Sequence, residues 1–99
     1  MQFLPTAKAG GFLAEMIYHV VFSDGARKEL KKLDKYSALL LLGWIRKNLE
    51  GCADPRRNGK ELIANRRGQW RYRIGDYRII VEISDDTVTI LVISVGHRR

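Results

Sequence analysis

The chain has 99 residues, which is enough for one domain around one hydrophobic core and too few for two. A hydrophobic fraction of 45% with 29% charged residues is ordinary for a globular protein and excludes disordered, collagen-like and coiled-coil chains. Eighteen Lys and Arg against eleven Asp and Glu give a net charge of +7, which favours polyanionic partners such as nucleic acid.

The first fifteen residues carry no recognisable targeting or membrane-spanning segment. Pro5 and two glycines interrupt their apolar residues before any run reaches the length that a membrane span or a signal sequence requires. Met16 stands directly before a strand-like run. We therefore expect a folded domain over residues 16–99, preceded by an extension, residues 1–15, that is disordered or not native. Cys52 is the single cysteine, so no intramolecular disulfide can form and the cytoplasm is the expected location. Because no membrane-spanning segment is predicted, no membrane partner is expected.

The first half of the domain is predicted to form a strand followed by two helices. The β-branched and aromatic run Ile17–Phe22 predicts the strand. Ser23 or Asp24 can cap the next segment, in which apolar residues recur at spacings of four and three opposite a row of lysines, as in an amphipathic helix. A second, more apolar helix is predicted over Ala38–Leu49, so the two helices form a hairpin.

The second half is predicted to form a loop and an antiparallel meander. The segment Ala53–Gly68 is rich in glycine, proline and basic residues, which indicates a loop with a short strand near Lys60–Ile63. Two-residue turns at Gly75-Asp76 and Asp85-Asp86 then join three strands, Gln69–Ile74, Tyr77–Ser84 and Thr87–Val95. The order strand, two helices, three-stranded meander predicts an α+β domain with the helices packed on one face of the sheet.

The turns fix which residues face each other across the strands. Arg73 faces Arg78, and Ile83 faces Val88. Like charges opposite each other cost up to about 1 kcal/mol, which a bound polyanion would offset. In the alternative, the arginines are solvated and Glu82 pairs with one of them. Alternation places one set of residues on the face opposite the core, here called the arginine face: Arg71, Arg73, Arg78, Ile80, Glu82, Thr89, Leu91, Ile93, Val95 and, if the strand continues, His97.

Two segments resemble a known family. The runs WRYRIGDYRII, residues 70–80, and ISVGHR, residues 93–98, are similar to the RelE branch of the RelE/ParE toxin superfamily of bacterial type II toxin–antitoxin systems. The resemblance extends from about Met16 to the C-terminus and implies a RelE-like fold. It also implies an endoribonuclease that cuts mRNA in the ribosomal A site with the RNA 2′-hydroxyl as nucleophile, without a metal or another cofactor. The implied partners are the ribosome, mRNA and a RelB-like antitoxin, with operator DNA bound only through the toxin–antitoxin complex.

The resemblance also assigns roles to individual residues. Arg73 and Arg78 are expected to clamp the phosphate, and His97 or Arg98 to act at the leaving oxygen. The resemblance does not identify the general base, because arginine is a poor base. Some relatives use a loop carboxylate in this role, and Glu61 is its nearest match in this chain. The expected catalytic set is Arg71, Arg73, Arg78, His97, Arg98 and Glu61, and the expected RNA-binding set is Lys60, Arg66 and Arg67.

The chain departs from the family pattern in two respects. Relatives continue beyond the His-Arg pair to an aromatic residue, whereas this chain ends at Arg99, so we expect weakened cleavage. In a regular last strand, His97 shares the arginine face and Arg98 points away, so a role for Arg98 requires a twist at Gly96. Two alternatives remain open: a ParE-like gyrase inhibitor of the same fold, and a non-catalytic module that binds RNA or the ribosome.

Overall fold

The computed structural model of the protein describes residues 17–62 and 68–97. The five strands of these residues form one sheet in which, counted along the chain, they lie in the order first, fifth, fourth, third, second; the first and fifth are parallel and all other neighbours are antiparallel. The predicted α+β architecture is confirmed. The predicted extension, residues 1–15, lies outside the described residues. Within the described residues, no helix combines the length and apolar character needed to cross a bilayer. The elements in chain order are β1 (His19–Phe22), α1 (Asp24–Lys32), α2 (Lys35–Asn48), β2 (Lys60–Glu61), β3 (Gln69–Ile74), β4 (Tyr77–Ser84) and β5 (Thr89–His97).

Side-chain caps start both helices. The hydroxyl of Ser23 accepts a hydrogen bond from the backbone N–H of Ala26 at 3.0 Å, which confirms the predicted cap of α1. The carboxylate of Asp34 does the same for the N–H of Ser37 at 3.0 Å, so α2 begins before the predicted residue Ala38. Such a cap typically stabilises a helix by about 1 kcal/mol.

The hydrophobic core lies on the face of the sheet that the two helices cover. Trp44 of α2 packs against Tyr72 of β3 with ring centroids 5.4 Å apart. The hydroxyl of Tyr77 in β4 donates to the Oγ of buried Ser37 in α2 at 2.9 Å. Each large apolar side chain buried here stabilises the fold by about 1.5–3 kcal/mol. The fully buried sheet residues are among those that the alternation predicts: Tyr72, Ile79, Val81, Ile90 and Val92.

The outer edge of β1 is occupied by a carboxylate. Glu50 accepts hydrogen bonds from the backbone N–H of Val20 and from Nδ1 of His19, each at 2.8 Å. Burial of Glu50 opposes its ionisation, but the N–H of Val20 and the His19 ring outweigh this effect and lower the pKa of the carboxyl. The edge strand therefore has one of its outward backbone donors satisfied by a side chain.

The first hairpin has the predicted register. Arg73 faces Arg78 and Ile74 faces Tyr77 across the two-residue turn. Gly75 adopts a φ of +60° at the first central position, as a hairpin turn of the type II′ class requires. The turn chemistry of this segment was therefore sufficient to fix the pairing of β3 with β4.

The second hairpin is wider than predicted. Ser84 faces Thr89 and Ile83 faces Ile90, not Val88, so four residues rather than two form the turn. The first residue of this turn, Asp85, is held by the hydroxyl of Tyr18 at 2.6 Å, a contact that the local sequence does not reveal. Because the register moves by two residues, Ile90 and Val92 stay on the core face.

A β-bulge at Ile93 overturns one part of the predicted arginine face. Val92 faces Val81 whereas Ser94 faces Ile80, so Ile93 is an extra residue and the alternation of β5 is inverted beyond it. Val95, predicted on the arginine face, is only 4% exposed and belongs to the core.

The bulge lies just beyond the point where β5 loses its parallel neighbour. β1 ends at Phe22, which is paired with Val92. Beyond that point, the backbone N–H of Val95 donates to Oε1 of Glu29 in α1 at 2.7 Å. A helix side chain thus replaces the missing strand as the hydrogen-bond partner, which lets β5 continue after leaving its regular register.

Candidate nucleic-acid interface

Among the described residues, four cations lie in two adjacent rows on the arginine face. Arg73 faces Arg78 in one row, and Arg71 faces Lys60 of the edge strand β2 in the other. Neighbouring strands lie about 4.8 Å apart and alternate residues of one strand about 7 Å apart, so the four backbone positions occupy a patch roughly 10 Å across. Arg71 and Arg78 are half-buried, whereas Lys60 and Arg73 are exposed. We call these four residues the cationic patch.

No carboxylate of the described residues forms an ion pair with the cationic patch. The ion pairs found in residues 17–62 and 68–97 join His19 to Glu50 and Arg56 to Asp85. Glu82 shares the arginine face but accepts only a long hydrogen bond from Gln69 at 3.5 Å. The alternative in which Glu82 neutralises an arginine is thus not adopted, and no carboxylate of residues 17–62 and 68–97 neutralises the patch.

Apolar residues adjoin the cationic patch on the same face. Ile80 faces Arg71 from β4, and Leu91 faces Glu82 from β5; both are half-buried. Val21 of β1 pairs with Leu91 and remains 47% exposed. An exposed apolar surface beside concentrated charge is typical of a binding surface.

Gly59 lets the loop approach β3 closely enough to place Lys60. A Cβ at this position would lie 2.5 Å from the backbone oxygen of Arg71 and 2.6 Å from the Trp70 ring. Real Cβ atoms essentially never show such distances, so only glycine fits without a shift. The predicted RNA-binding residue Lys60 consequently stands directly beside Arg71.

The predicted carboxylate base is not brought to the arginine face. Glu61 pairs with Trp70, whose side chain lies on the core side, because successive residues of a strand point to opposite faces. Glu82 is the carboxylate that the described residues of β3, β4 and β5 present on the arginine face. From the sequence alone, Glu82 is expected on this face only as a partner for an arginine.

The bulge also moves His97 away from the cationic patch. His97 faces Tyr77 on the helix side of the sheet, and the two ring centroids are 4.6 Å apart. The prediction that His97 shares the arginine face is therefore wrong, and Gly96 occupies the position opposite Arg78 instead. The change of face occurs at Ile93 rather than through a twist at Gly96. Three predicted site residues lie outside the described residues: Arg66, Arg67 and Arg98.

A second charged cluster connects the loop before β2 to the turn between β4 and β5. It is not predicted from the sequence. The two terminal guanidinium nitrogens of Arg56, Nη1 and Nη2, donate to the carboxylate of Asp85 at 3.2 and 3.1 Å. The Tyr18 hydroxyl donates to the same carboxylate, and this bond, followed by the bonds from Arg56, lowers the pKa of Asp85. The same pairing raises the pKa of Tyr18 and of Arg56. The Arg56 guanidinium also lies 5.8 Å from the centroid of the Trp70 ring.

The geometry of the arginine face suits a phosphate group. Guanidinium forks bind phosphate oxygens in pairs, and a row of cations can hold successive phosphates of one strand. No cluster of three or more potential metal-binding His, Cys, Asp or Glu side chains is found within the described ranges.

Comparisons with known proteins agree with this architecture. Residues 20–99 match the family model described as ParE toxin of type II toxin–antitoxin system, parDE. Toxin RelG of Mycobacterium tuberculosis is 31% identical over 83 residues, which cover 84% of this chain and 93% of the relative.

Two solved toxin–antitoxin complexes have the same fold. The RelBE2 complex of M. tuberculosis contains a chain with a TM-score of 0.76 and 29% identity, covering 86% of this chain and 95% of that one. The archaeal RelE-RelB complex of Pyrococcus horikoshii gives a TM-score of 0.64 and 26% identity, covering 84% and 97%. The chain therefore belongs to the ParE-toxin family, within the RelE/ParE superfamily, and is the toxin of a type II toxin–antitoxin system.

Proposed function

We propose that this toxin is a metal-independent endoribonuclease that cleaves mRNA in the ribosomal A site and so inhibits translation. The observation that carries the proposal is the cationic patch: four cations in two rows, without an acidic partner among the described residues. An unpaired cluster of this kind destabilises the sheet and is best explained by an anionic ligand. The likeness to RelE and RelG toxins supports RNA as that ligand.

The reaction requires charge stabilisation and two proton transfers. The 2′-hydroxyl attacks the adjacent phosphorus, and the bond to the 5′ oxygen breaks, leaving a cyclic phosphate and a free 5′-hydroxyl. A base removes the 2′ proton, and an acid protonates the leaving oxygen. Arg73 and Arg78, which face each other, can contact the phosphorane oxygens from two sides, while Arg71 and Lys60 hold the neighbouring phosphate.

We assign the general base to Glu82 rather than Glu61. Glu82 is on the arginine face, diagonal to Arg71 and four residues, or about 13 Å of backbone, from Arg78, so it can act on a ribose held at the Arg71 end of the clamp. Glu61 is on the opposite face. In single-turnover cleavage, we expect Glu82→Gln to lower the rate and Glu61→Gln to leave it unchanged. Equal rates for the two variants would exclude Glu82 as the base.

Arg98 remains the candidate for the group at the leaving oxygen. His97 stacks against Tyr77 on the helix side, so its imidazole is separated from the phosphate clamp by the sheet. We expect Arg98→Ala to impair cleavage more strongly than His97→Ala, as measured on the same ribosome-bound mRNA. The reverse order would return the role to His97.

Cleavage of ribosome-bound mRNA tests the proposed function directly. The full chain is added to programmed ribosomes, and cuts in the A-site codon are mapped by primer extension. Arg78→Ala should lower the cleavage rate about 10²–10³-fold, the usual effect of removing one preorganised charge-stabilising donor. Arg46→Ala, which removes an exposed arginine at the end of α2, is the matched control and should cleave normally. Binding without cleavage by the unaltered chain would favour the non-catalytic module.

The family match itself favours a second candidate, inhibition of DNA gyrase. The matching family model is that of the ParE toxin, whose members have the same fold. A supercoiling assay with purified gyrase separates the two functions, because an RNase of this type leaves supercoiling unchanged. Inhibited supercoiling together with uncut ribosomal mRNA would replace the endoribonuclease proposal.

A RelB-like antitoxin is the partner that the comparisons support. The similar structures of M. tuberculosis and P. horikoshii are toxin–antitoxin complexes. The outer surface of α2 exposes three large apolar side chains beside basic residues, a surface suited to a partner with acidic and apolar groups: Tyr36, Leu39 and Leu40. We propose that operator DNA is bound only through the complex with the antitoxin.

A further inference from the structure

The Arg56–Asp85 pair lies on the opposite side of the sheet from the cationic patch. The two terminal guanidinium nitrogens of Arg56 donate to Asp85, and the Tyr18 hydroxyl adds a third bond to this carboxylate at 2.6 Å. The Arg56 side chain also lies over Trp70, a residue of the core face. The pair thus joins the loop before β2 to the turn between β4 and β5.

Two further contacts fix the few residues that separate Arg56 from Lys60. The hydroxyl of buried Tyr72 donates to the backbone oxygen of Pro55 at the start of this segment. At its end, Gly59 is seated against the backbone of Arg71, with no room for a side chain. The segment therefore runs from the core side of β3 around the edge of this strand. At its end, Lys60 lies opposite Arg71.

We propose that Arg56 and Asp85 are positioning residues that hold Lys60 in the cationic patch. The proposal rests on the proposed RNA site, because Lys60 matters only if the patch binds a polyanion. Side chains of the pair are 39% and 53% exposed, and ion pairs this exposed contribute little to the stability of a fold. The Asp85 carboxylate nevertheless accepts two hydrogen bonds from Arg56 and a third from Tyr18. These bonds are better explained by a need to hold the loop in position than by a contribution to the stability of the whole fold.

A double-mutant cycle on RNA affinity tests this coupling. The probe is a single-stranded RNA oligonucleotide, titrated against the full chain at several salt concentrations. Lys60→Ala should weaken binding severalfold and reduce the slope of log K against log salt by about 0.7, the value for one lost phosphate contact. Asp85→Ala should produce the same two changes in the unaltered chain, whereas in the Lys60→Ala background it should give only the slight strengthening that follows from losing one negative charge.

Glu50→Ala is the matched control, because it also removes one exposed carboxylate that is ion-paired at another site. Loss of a negative charge by itself strengthens binding to a polyanion. We therefore expect Glu50→Ala to bind RNA slightly more tightly and Asp85→Ala to bind more weakly. Arg56→Gln breaks the same pair from the loop side, and it should weaken binding more in the unaltered chain than in the Lys60→Ala background. Asp85→Glu can still pair with Arg56, so it should bind RNA more tightly than Asp85→Ala and less tightly than the unaltered chain.

The outcomes distinguish failure of this proposal from failure of the RNA site. If Asp85→Ala binds as tightly as Glu50→Ala, or weakens binding equally with and without Lys60, Arg56 and Asp85 do not act through Lys60 and the positioning role is wrong. If Arg78→Ala also leaves RNA affinity and salt dependence unchanged, the cationic patch is not an RNA site, and both proposals fall together.

Discussion

The facing arginines should make the protein less stable than a variant that lacks one of them. Arg73 is the residue to change, because it is exposed and its stem contributes little packing, whereas Arg78 is half-buried. Arg73 has two cationic neighbours in the sheet: Arg78 opposite and Arg71 two residues along the strand. Arg73→Gln keeps a polar side chain of similar length and removes both repulsions.

The expected gain can be worked out from the spacing. Two unit charges about 7 Å apart in water repel by about 0.6 kcal/mol, so two neighbours give about 1.2 kcal/mol before screening. With Debye lengths of about 30, 8 and 3 Å at 0.01, 0.15 and 1 M salt, roughly 1, 0.5 and 0.1 kcal/mol remain. For a domain of this size, 1 kcal/mol corresponds to a rise in Tm of about 4–8 °C.

Thermal unfolding of the full chain at these three salt concentrations is the assay. Arg73→Gln should unfold at a higher temperature than the unaltered protein at 0.01 M salt, and the difference should vanish at 1 M. Arg46→Gln is the control: it removes a favourable charge from the last turn of α2 and should give no gain. A loss of stability in Arg73→Gln, or a gain that does not depend on salt, would refute electrostatic repulsion in the patch.

Three further predictions concern other parts of the structure. Gly59→Ala should lower stability by about 1–3 kcal/mol, because its Cβ would collide with the Arg71 backbone, and should weaken RNA binding in the same titration. The pKa of Asp85 is lowered from its ordinary value of 3.8, so its stabilisation is fully present above that pH and is lost as the pH falls through the lower value. The difference in unfolding free energy between the unaltered chain and Asp85→Asn should therefore start to shrink as the pH approaches 3.8 and shrink further as the pH falls below it. Leu41→Ala, at a residue with 0% exposure, should cost about 2–5 kcal/mol, whereas Leu39→Ala, at 58% exposure, should cost far less in chemical denaturation.

Several elements followed from the sequence because they depend on neighbouring residues. Ser23 caps α1 through a hydrogen bond three residues along the chain. Gly75 and Asp76 form the two-residue turn that fixes β3 against β4. Once that register is known, alternation alone places Arg73 and Arg78 on one face. Local turn chemistry and strand period were enough for this part of the candidate site.

The predictions that failed depend on contacts between distant residues. The second turn has four residues instead of two, and its first residue, Asp85, accepts a hydrogen bond from Tyr18, which lies 67 residues away in the chain. The bulge at Ile93, which buries Val95 and turns His97 to the helix side, comes where β1 ends and Glu29 takes over a backbone donor of β5. Neither partner can be identified from a local pattern.

The sequence by itself determined the fold class and the three arginines of the arginine face, because each follows from hydrophobic period and one tight turn. Only the tertiary structure decided which other side chains join them. Lys60 enters the patch and Glu61 does not, because the edge strand pairs with β3 in one register. A shift of one residue there would exchange the two, and that register is set by the close seating of Gly59 and contacts on the far side of the sheet.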